Sequence, residues 1–365
     1  MILAAALVSV NACATVNRLA PASQERRWTT YLGSERRASE TADTLAADPA
    51  PAWRIDVGRG IVGAPALTED LVLLSQVDRQ LTVLERRTGK IVWRRRFSAN
   101  IGSGPLVDYD RVYLATETRD GEVAALDLAS GKRVWSKSFG DVAAPITIHH
   151  AQIYAGTTDG WLAAISASGG SVLWRTRLRG AVRAAPVASG GSVIVATAAD
   201  SLYLVDGATG AVRARRPTPA AVLAAPALAD SVLIFGTTAG RLEACDTATL
   251  ATRWTLDVGS GVVGAVAVQG DTAFVLTHDG DLWWVPLDAP SRATRVPLGV
   301  IGRAAPTPVA GGVIVAEVGG QLTLVDRTGA RRWTGSVHPP VVQPVIVDGR
   351  FFVAASERGE VVAFR

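Results

Sequence analysis

A repeat of about 40 residues runs through most of this sequence and limits what the chain can fold into. Once per repeat an aliphatic residue follows a turn rich in glycine and aspartate, at intervals of 39 to 42 residues: Leu81, Val123, Leu162, Leu202, Leu242, Leu282, Leu322 and Val361. A unit of this size cannot bury its apolar face alone, so neighbouring copies must pack together. The 365 residues are therefore expected to form one repeat architecture rather than two unrelated domains.

Proline is a second marker, and it keeps the same phase. It precedes an apolar stretch in seven of the eight repeats, at Pro65, Pro105, Pro145, Pro186, Pro226, Pro306 and Pro344, and Val266 takes this place in the sixth. The second repeat divides into four short stretches, near residues 105–107, 112–116, 123–127 and 134–139. Short strands at this spacing indicate an all-β fold. Because four strands without a helix are typical of a propeller blade, we predict an eight-bladed β-propeller of four-stranded antiparallel blades.

A tryptophan motif indicates how the blades pack. The segment from Ala125 to Trp135 reads A-x-D-x-x-x-G-x-x-x-W, in which the aspartate and glycine close a hairpin and the tryptophan follows on the next strand. The same strand position is occupied by Trp93, Trp135, Trp174, Trp254 and Trp333, and by Ala214 and Thr294 in the fourth and sixth repeats. A ring of this size buries roughly 150–250 Å². We predict that these side chains dock each blade onto its neighbour rather than stack on a cofactor.

The two ends of the repeat region are complementary. The last repeat stops at Arg365, after its third strand, while a strand-like segment at 52–57 precedes the first proline marker. Trp53 in this segment lies 40 residues before Trp93 and so is in phase with the docking tryptophans. We therefore expect this strand to complete the eighth blade, which closes the ring and pairs its open edge. The expected boundaries are 13–51 for a linker and 52–365 for the propeller.

Residues 1–12 form an apolar run that ends at Cys13. The run is too short for a membrane-spanning helix but suits the apolar part of a signal peptide. The segment Val10 to Cys13 resembles a bacterial lipoprotein processing box, with a small residue before the cysteine, and predicts that residues 1–12 are removed and Cys13 is acylated. No lysine or arginine precedes Arg18, so either the true start lies upstream of Met1 or the segment is an ordinary signal remnant, with a soluble periplasmic chain as the alternative.

Several classes of function find no support in the sequence. The basic residues occur as scattered pairs and triplets instead of one aromatic-interleaved face, which argues against nucleic-acid binding. Among the few histidines, His149, His150 and His278 lie in predicted turns, and His338 lies in a loop without a nucleophile or metal partner. Neither a phosphate-binding loop nor zinc-ligand spacing is present. We expect no catalytic residue, no metal and no cofactor, and a function that resides in the surface.

The docking motif, the proline-led inner strand and the repeat length resemble PQQ-like propeller repeats across residues 52–365. Together with the lipoprotein-type N-terminus, they resemble the BamB family, accessory lipoproteins of the outer-membrane β-barrel assembly machinery. This resemblance implies a non-enzymatic scaffold, a monomeric propeller held at the periplasmic face of the outer membrane by its lipid, with a BamA-like barrel-assembly protein as its partner. One alternative is a PQQ-repeat module with another periplasmic partner.

A quinone-binding enzyme domain is the other alternative. Quinone-dependent dehydrogenases resemble this repeat, but they carry adjacent cysteines and a calcium site built from a carboxylate and an asparagine. Calcium takes six to eight oxygen ligands, whereas asparagine occurs here only at 11, 17 and 100 and the two cysteines are far apart. Cys245 lies in an apolar stretch and is expected to be a small core residue.

The resemblance also suggests where a partner binds. The run Leu178-Arg179-Gly180 matches a run in the family's partner loop, whereas the family's acidic positions are Ala221 and Leu223 here. The loops before the inner strands open on one face of a propeller, and three residues before each proline marker the chain offers Val62, Gly102, Val142, Arg183, Leu223, Val263, Arg303 and Val341. We predict Leu178, Arg179, Arg183, Leu223 and Arg303 as partner contacts. The alternative is that the aliphatic members of this set belong to the core.

Overall fold

Short apolar stretches separated by glycine-rich turns produce strands and tight hairpins along almost the entire chain. In the computed structural model, which describes Gly33, Leu45 and residues 48–365, the chain forms 33 strands and one short 3-10 helix, Pro290–Arg292. The strands, numbered β1 to β33 in chain order, build eight antiparallel sheets. The first strands of neighbouring sheets contact one another and surround a central channel. The predicted eight-bladed propeller is confirmed.

Blades 1 to 4 follow one another in sequence, and each runs from an inner to an outer strand in chain order. Blade 1 contains β2 (Ala66–Leu67), β3 (Leu71–Gln76), β4 (Gln80–Glu85) and β5 (Ile91–Arg96), and blade 2 contains β7 (Leu106–Asp108), β8 (Arg111–Glu117), β9 (Glu122–Asp127) and β10 (Arg133–Ser138), with β6 (Asn100–Ile101) also paired to β8. Blade 3 contains β11 (Thr147–His149), β12 (Gln152–Gly156), β13 (Trp161–Ser166) and β14 (Val172–Arg177). Blade 4 contains β15 (Val187–Ser189), β16 (Ser192–Thr197), β17 (Ser201–Asp206) and β18 (Val212–Pro217).

Blades 5 to 7 repeat this order, and blade 8 combines both ends of the chain. Blade 5 contains β19 (Ala227–Ala229), β20 (Val232–Gly236), β21 (Arg241–Asp246) and β22 (Thr252–Asp257), and blade 6 contains β23 (Ala267–Gln269), β24 (Thr272–Leu276), β25 (Asp281–Pro286) and β26 (Thr294–Pro297). Blade 7 contains β27 (Thr307–Val309), β28 (Gly312–Ala316), β29 (Gln321–Val325) and β30 (Arg331–Ser336). Blade 8 contains β31 (Ile346–Asp348), β32 (Phe351–Ala355), β33 (Glu360–Phe364) and β1 (Pro51–Asp56).

The ring closes as the sequence predicted. Strand β1 pairs antiparallel with β33, with Trp53 opposite Ala363 and Ile55 opposite Val361. Two backbone hydrogen bonds extend the pairing at the C-terminus: the Ala50 N–H donates to the Arg365 carbonyl over 3.2 Å, and the Arg365 N–H donates to the Ala50 carbonyl over 3.0 Å. The third strand of the last repeat is therefore covered by the first strand of the chain.

The tryptophans of the outer strands lie against the hairpin that joins the third and fourth strands of the next blade. The indole N–H of Trp53 donates to the Arg86 carbonyl over 2.7 Å, and that of Trp93 donates to the Leu128 carbonyl over 2.9 Å. Trp135 and Trp174 make the same kind of bond to Ala167 and Gly207, while Trp333 donates to the carbonyl of Pro49, in the segment just before β1. Trp254 packs beside Leu287 and Ala293.

The hairpins that face Trp53, Trp93, Trp135 and Trp174 each contain a glycine that the tryptophan requires. Gly131 has φ +66°, a left-handed conformation that favours glycine. A Cβ atom at this position would lie 2.7 Å from the Trp93 ring, and one at Gly89 would lie 2.8 Å from the Trp53 ring. The glycine of the motif is thus required for two reasons: it forms the turn of its own hairpin, and it leaves room for the tryptophan ring of the preceding blade.

Blade 4 has Ala214 where most blades have tryptophan, and its junction with blade 5 contains a buried ion pair instead. The Arg216 guanidinium donates to a carboxylate oxygen of Glu243, whose side chain is almost fully buried. The guanidinium also lies 5.7 Å from the centre of the Phe235 ring. Burial raises the pKa of the neighbouring Cys245 thiol to about 11, so the thiol stays protonated in the core.

Replacing Trp53 or Trp135 by alanine is expected to cost about 3–5 kcal/mol of unfolding free energy each, because each change empties a packed site between two blades. Urea denaturation of the full chain measures this cost. Leu173→Ala, an exposed change on the outer strand of blade 3, is the control and should stay close to the parent. If Trp53→Ala unfolds like the parent while Trp135→Ala does not, the ring does not depend on its closing strand.

Glu243→Gln is expected to destabilise the chain by about 3 kcal/mol, because it leaves the Arg216 guanidinium buried without its counter-charge. The double variant Arg216→Leu, Glu243→Leu should recover most of this loss, since neither charge then remains. The same urea measurement tests both variants. A Glu243→Gln chain as stable as the parent would show that the pair does not hold this junction together.

Candidate partner-binding face

Two sets of loops meet on one face of the ring, which we call the upper face. One set precedes the inner strands, at 57–65, 97–105, 139–146, 178–186, 218–226, 258–266, 298–306 and 337–345, and the other joins the second and third strands of each blade. Backbone hydrogen bonds connect the two sets: the Val182 N–H donates to the Thr157 carbonyl and the Val262 N–H to the Thr237 carbonyl, each over 3.0 Å. The two sets of loops are therefore hydrogen-bonded to each other and form one continuous surface.

A cavity of about 200 Å³ opens at the mouth of the channel on the upper face. Its wall is formed largely by alanine and glycine, and four larger side chains line it as well: Arg183, Leu223, Val263 and Arg303. Three of the five predicted partner contacts therefore line one cavity, although they come from loops of three different blades. The cavity is smaller than the roughly 300–1,000 Å³ of typical small-molecule sites.

The predicted ring of eight residues around this mouth needs a correction in blades 3 and 8. Val142 and Val341 are fully buried, whereas Arg183, Leu223, Val263 and Arg303 are exposed. In these two blades the proline lies two residues before the inner strand, instead of one, so the marker is out of phase by one position. The equivalent positions are Ala143 and Val342, and a shift of one residue exchanges an inward side chain for an outward one.

Of the large apolar side chains exposed on the upper face, three lie in blades 5 to 7 and one, Val77, lies in blade 1. Leu223 is 42% exposed, Val263 is 38% exposed and Ile301 is 64% exposed. Arg183 and Arg303 are exposed on the two sides of this group. We call these five residues the apolar sector. An exposed group of large apolar residues next to charged ones is typical of a protein-binding surface, and arginine is enriched at the anchoring positions of such surfaces.

Ile301 was not among the residues predicted from the sequence. Blade 7 has Gly302 where blades 4 to 6 have a buried valine, and a Cβ at Gly302 would lie 2.2 Å from Leu276 Cδ2. The Leu276 side chain fills the space that a valine would otherwise occupy, and Ile301 remains outside the core. The glycine in a valine position was the available signal.

The predicted pair Leu178 and Arg179 separates into a core and a surface residue. Leu178 is 3% exposed and packs between blades 3 and 4 with Trp174 and Tyr203. Its side chain cannot contact a partner, so this part of the prediction is wrong. Val57, Phe97 and Phe139, at the same offset from their tryptophans, are buried as well. Arg179 is exposed on the upper face, outside the cavity lining, and its backbone N–H donates to the Tyr203 hydroxyl over 3.2 Å.

His149 ends β11 and His150 begins the hairpin that follows, on the face opposite the upper face, and their ring centres lie 4.0 Å apart. Burial lowers the pKa of His149, and the neighbouring His150 lowers it further. Within the described part of the chain, no three His, Cys, Asp or Glu side chains form a group that could bind a metal ion.

The N-terminal predictions fall largely outside the structure. Cys13 and the 1–12 segment do not belong to the described residues, so the acylation of Cys13 stays a prediction. A search of the described residues for a helix long and apolar enough to cross a membrane finds none.

The eight blades, six of which carry a docking tryptophan on the outer strand, place the chain among propellers built from PQQ-like repeats. The sequence profile of one family, described as outer membrane protein assembly factor BamB, matches residues 12–138, 119–221 and 213–365. These matches cover nearly the whole sequence, and the chain belongs to the BamB family.

A relative and two solved structures illustrate this similarity. The chain is 29% identical over 159 residues to the outer membrane protein assembly factor BamB of Legionella pneumophila, a region that spans 40% of this chain and 41% of that relative. The crystal structure of BamB from Moraxella catarrhalis superposes with a TM-score of 0.74 at 17% identity, over 87% of this chain and 97% of that one. The quinohemoprotein alcohol dehydrogenase of Comamonas testosteroni superposes with a TM-score of 0.79 at 13% identity, over 94% and 81%. Both superpositions show the fold alone.

Proposed function

We propose that this protein is a non-enzymatic scaffold of the outer-membrane β-barrel assembly machinery, which holds the barrel-assembly protein against its upper face. Family membership supports the pathway, and the apolar sector supports the binding surface. The single observation that carries the proposal is that Leu223 and Val263 line the channel mouth between Arg183 and Arg303, with Ile301 exposed in the same loop as Arg303. A surface with this composition recognises an apolar segment of a partner that also carries carboxylates.

The arginines favour an acidic partner surface. Arg183 and Arg303 line the same cavity from loops three blades apart, and the wall between them is uncharged. Carboxylates of a partner at this mouth would meet a guanidinium group on either side, and each guanidinium can bind one carboxylate through two parallel hydrogen bonds. Arg179 adds a third positive charge to the loop that carries Arg183. Acylated Cys13, joined by residues 14–50, would keep the propeller at the periplasmic face of the outer membrane.

The fold is shared with a quinohemoprotein dehydrogenase, but the residues of this chain favour binding over redox chemistry. The cavity wall of alanine and glycine offers few polar groups to orient a substrate. We therefore infer that the channel mouth binds a segment of a protein and not a small-molecule substrate.

Charge reversal of the two cavity arginines, Arg183→Glu with Arg303→Glu, is expected to reduce recovery of the partner at least about tenfold, because anchoring arginines commonly contribute 2 kcal/mol or more. Affinity purification from membranes, followed by mass spectrometry of the recovered proteins, measures this. The control is Arg331→Glu with Arg350→Glu, which changes the charge equally at exposed positions outside the apolar sector. Undiminished recovery would move the binding face elsewhere, and recovery of an unrelated periplasmic protein by the parent would favour the general interaction module.

The N-terminal peptide of the mature protein is expected to begin at Cys13 and to carry diacylglycerol. Mass spectrometry of the membrane fraction tests this. Stable anchoring needs more than one acyl chain, so the full lipoprotein set of acyl groups is expected on this cysteine. A Cys13→Ser chain should leave the membrane fraction when the barrel-assembly protein is absent. If it stays bound, the lipid is not its tether.

A further inference from the structure

The outer strands carry a β-bulge directly before the docking position. In seven of the eight blades, all except blade 6, one residue of the outer strand has no partner in the ladder. A bulge of this kind twists an edge strand and blunts it against pairing with another chain. The bulge residue projects from the rim of the propeller. These residues are Ala52, Val92, Val134, Leu173, Arg213, Arg253 and Arg332.

The bulge residue differs between the two halves of the ring. In blades 4, 5 and 7 it is an arginine paired with the aspartate at the end of the third strand: Arg213 with Asp206, Arg253 with Asp246 and Arg332 with Asp326. In blades 1, 2 and 3 it is Val92, Val134 or Leu173, and these side chains are 41%, 43% and 49% exposed. Three blades thus have an ion-paired arginine at this position, whereas three consecutive blades have an exposed aliphatic residue there. Ile91 and Val212 extend this apolar row at its two ends.

Positive charge follows the same half of the rim. The outer strands of blades 1 to 4 contain ten lysines and arginines and no acidic residue, whereas those of blades 5 to 8 contain five basic and two acidic residues. Most of the ten are exposed, among them Arg94, Arg96 and Lys137, and three exposed arginines also pair with a carboxylate: Arg133 with Glu122, Arg177 with Asp159 and Arg213 with Asp206. The aliphatic row lies toward the start of each strand and the basic residues follow it. The rim of blades 1 to 4 therefore combines an apolar row with a basic row.

The geometry points to a second binding surface on this rim, whose partner is an anionic phospholipid bilayer. Side chains at a bilayer interface bury an apolar face in the headgroup region while lysine and arginine bind lipid phosphates. The rim offers both features at the same place. Nucleic acid would match the charge but not the aliphatic row, since the outer-strand tryptophans face the next blade and do not stack outward. This surface is independent of the apolar sector, so the propeller can bind a partner and a membrane at once.

The shape of the ring decides which residues matter most. Eight blades turn the rim by about 45° per blade, so a plane that touches blades 2 and 3 leaves the edges of blades 1 and 4 behind. Val134, Leu173, Lys137 and Arg177 are therefore the central contacts. Basic residues near an anionic surface contribute about 1 kcal/mol each, which corresponds to about fivefold in affinity.

Co-sedimentation with vesicles tests this surface on residues 14–365, so that neither an acyl group nor the apolar 1–12 segment contributes. We expect binding to vesicles of phosphatidylglycerol and phosphatidylcholine in equal parts, no binding to phosphatidylcholine alone, and weaker binding as salt increases. Lys137→Glu with Arg177→Glu should weaken binding at least about 25-fold. Val134→Ser with Leu173→Ser, at exposed positions that leave the core intact, should also weaken it several-fold.

Arg331→Glu with Arg350→Glu serves as the matched control and should bind like the parent. The proposal is overturned if the parent ignores the anionic vesicles, or if the control loses as much binding as the rim variant. It is also overturned if Val134→Ser with Leu173→Ser binds fully, because attraction would then rest on charge alone. A parent that ignores vesicles but forms a dimer in sedimentation, lost in the same serine variant, would assign the aliphatic row to a second copy of the chain.

Discussion

The ring depends on the contact between a tryptophan of one blade and a hairpin glycine of the next. Blades diverge toward the rim, so small side chains there would leave a gap between neighbouring sheets, and a wide ring fills it. The indole N–H is satisfied by a hairpin carbonyl, as at Trp135 and Ala167, which avoids a buried unpaired donor. The closing blade is held on both sides by indole hydrogen bonds: Trp333 donates to the Pro49 carbonyl just before β1, and Trp53 donates to the Arg86 carbonyl in the hairpin that carries Gly89. The ends of the chain are thus held by the interaction that joins its interior blades.

Junctions without this contact show that other chemistry can replace it. Blade 4 docks through the Arg216–Glu243 pair. At blade 6, Trp284 of the third strand packs edge-on against Phe274, with ring centres 4.9 Å apart, and the Arg327 guanidinium of blade 7 lies 5.5 Å from the centre of its ring. These replacements keep the ring intact but remove its symmetry. The apolar sector of the upper face begins at the same blades, so the departures from the repeat coincide with the part of the molecule assigned to binding.

The sequence predicted the number, type and closure of the blades because each repeat is one packing unit with its own markers. Strand bounds followed closely, as in the second strand of blade 2, expected at 112–116 and observed at Arg111–Glu117. The markers predicted wrong positions where a shift of one residue decides whether a side chain is buried or exposed. Proline can occupy either of two positions before an inner strand, which misplaced Val142 and Val341. Leu178 was predicted to contact the partner because it matches a loop of the family, although its offset from Trp174 equals the offset of the buried Val57 and Phe97 from their own tryptophans. Ile301 was missed although Gly302 replaces the valine of blades 4 to 6, because the filling of that space by Leu276 is a contact between two blades that one repeat does not show.

Site-specific photo-crosslinking in living cells tests the central claim most directly, namely that the upper face holds the barrel-assembly protein. A photoreactive residue at Leu223 lies in the apolar sector, and one at Tyr109, which is also exposed, lies in a hairpin on the opposite face. The account predicts that Leu223 forms a crosslink to the barrel-assembly protein and that Tyr109 does not. A crosslink to that protein from Tyr109, with none from Leu223, would contradict it.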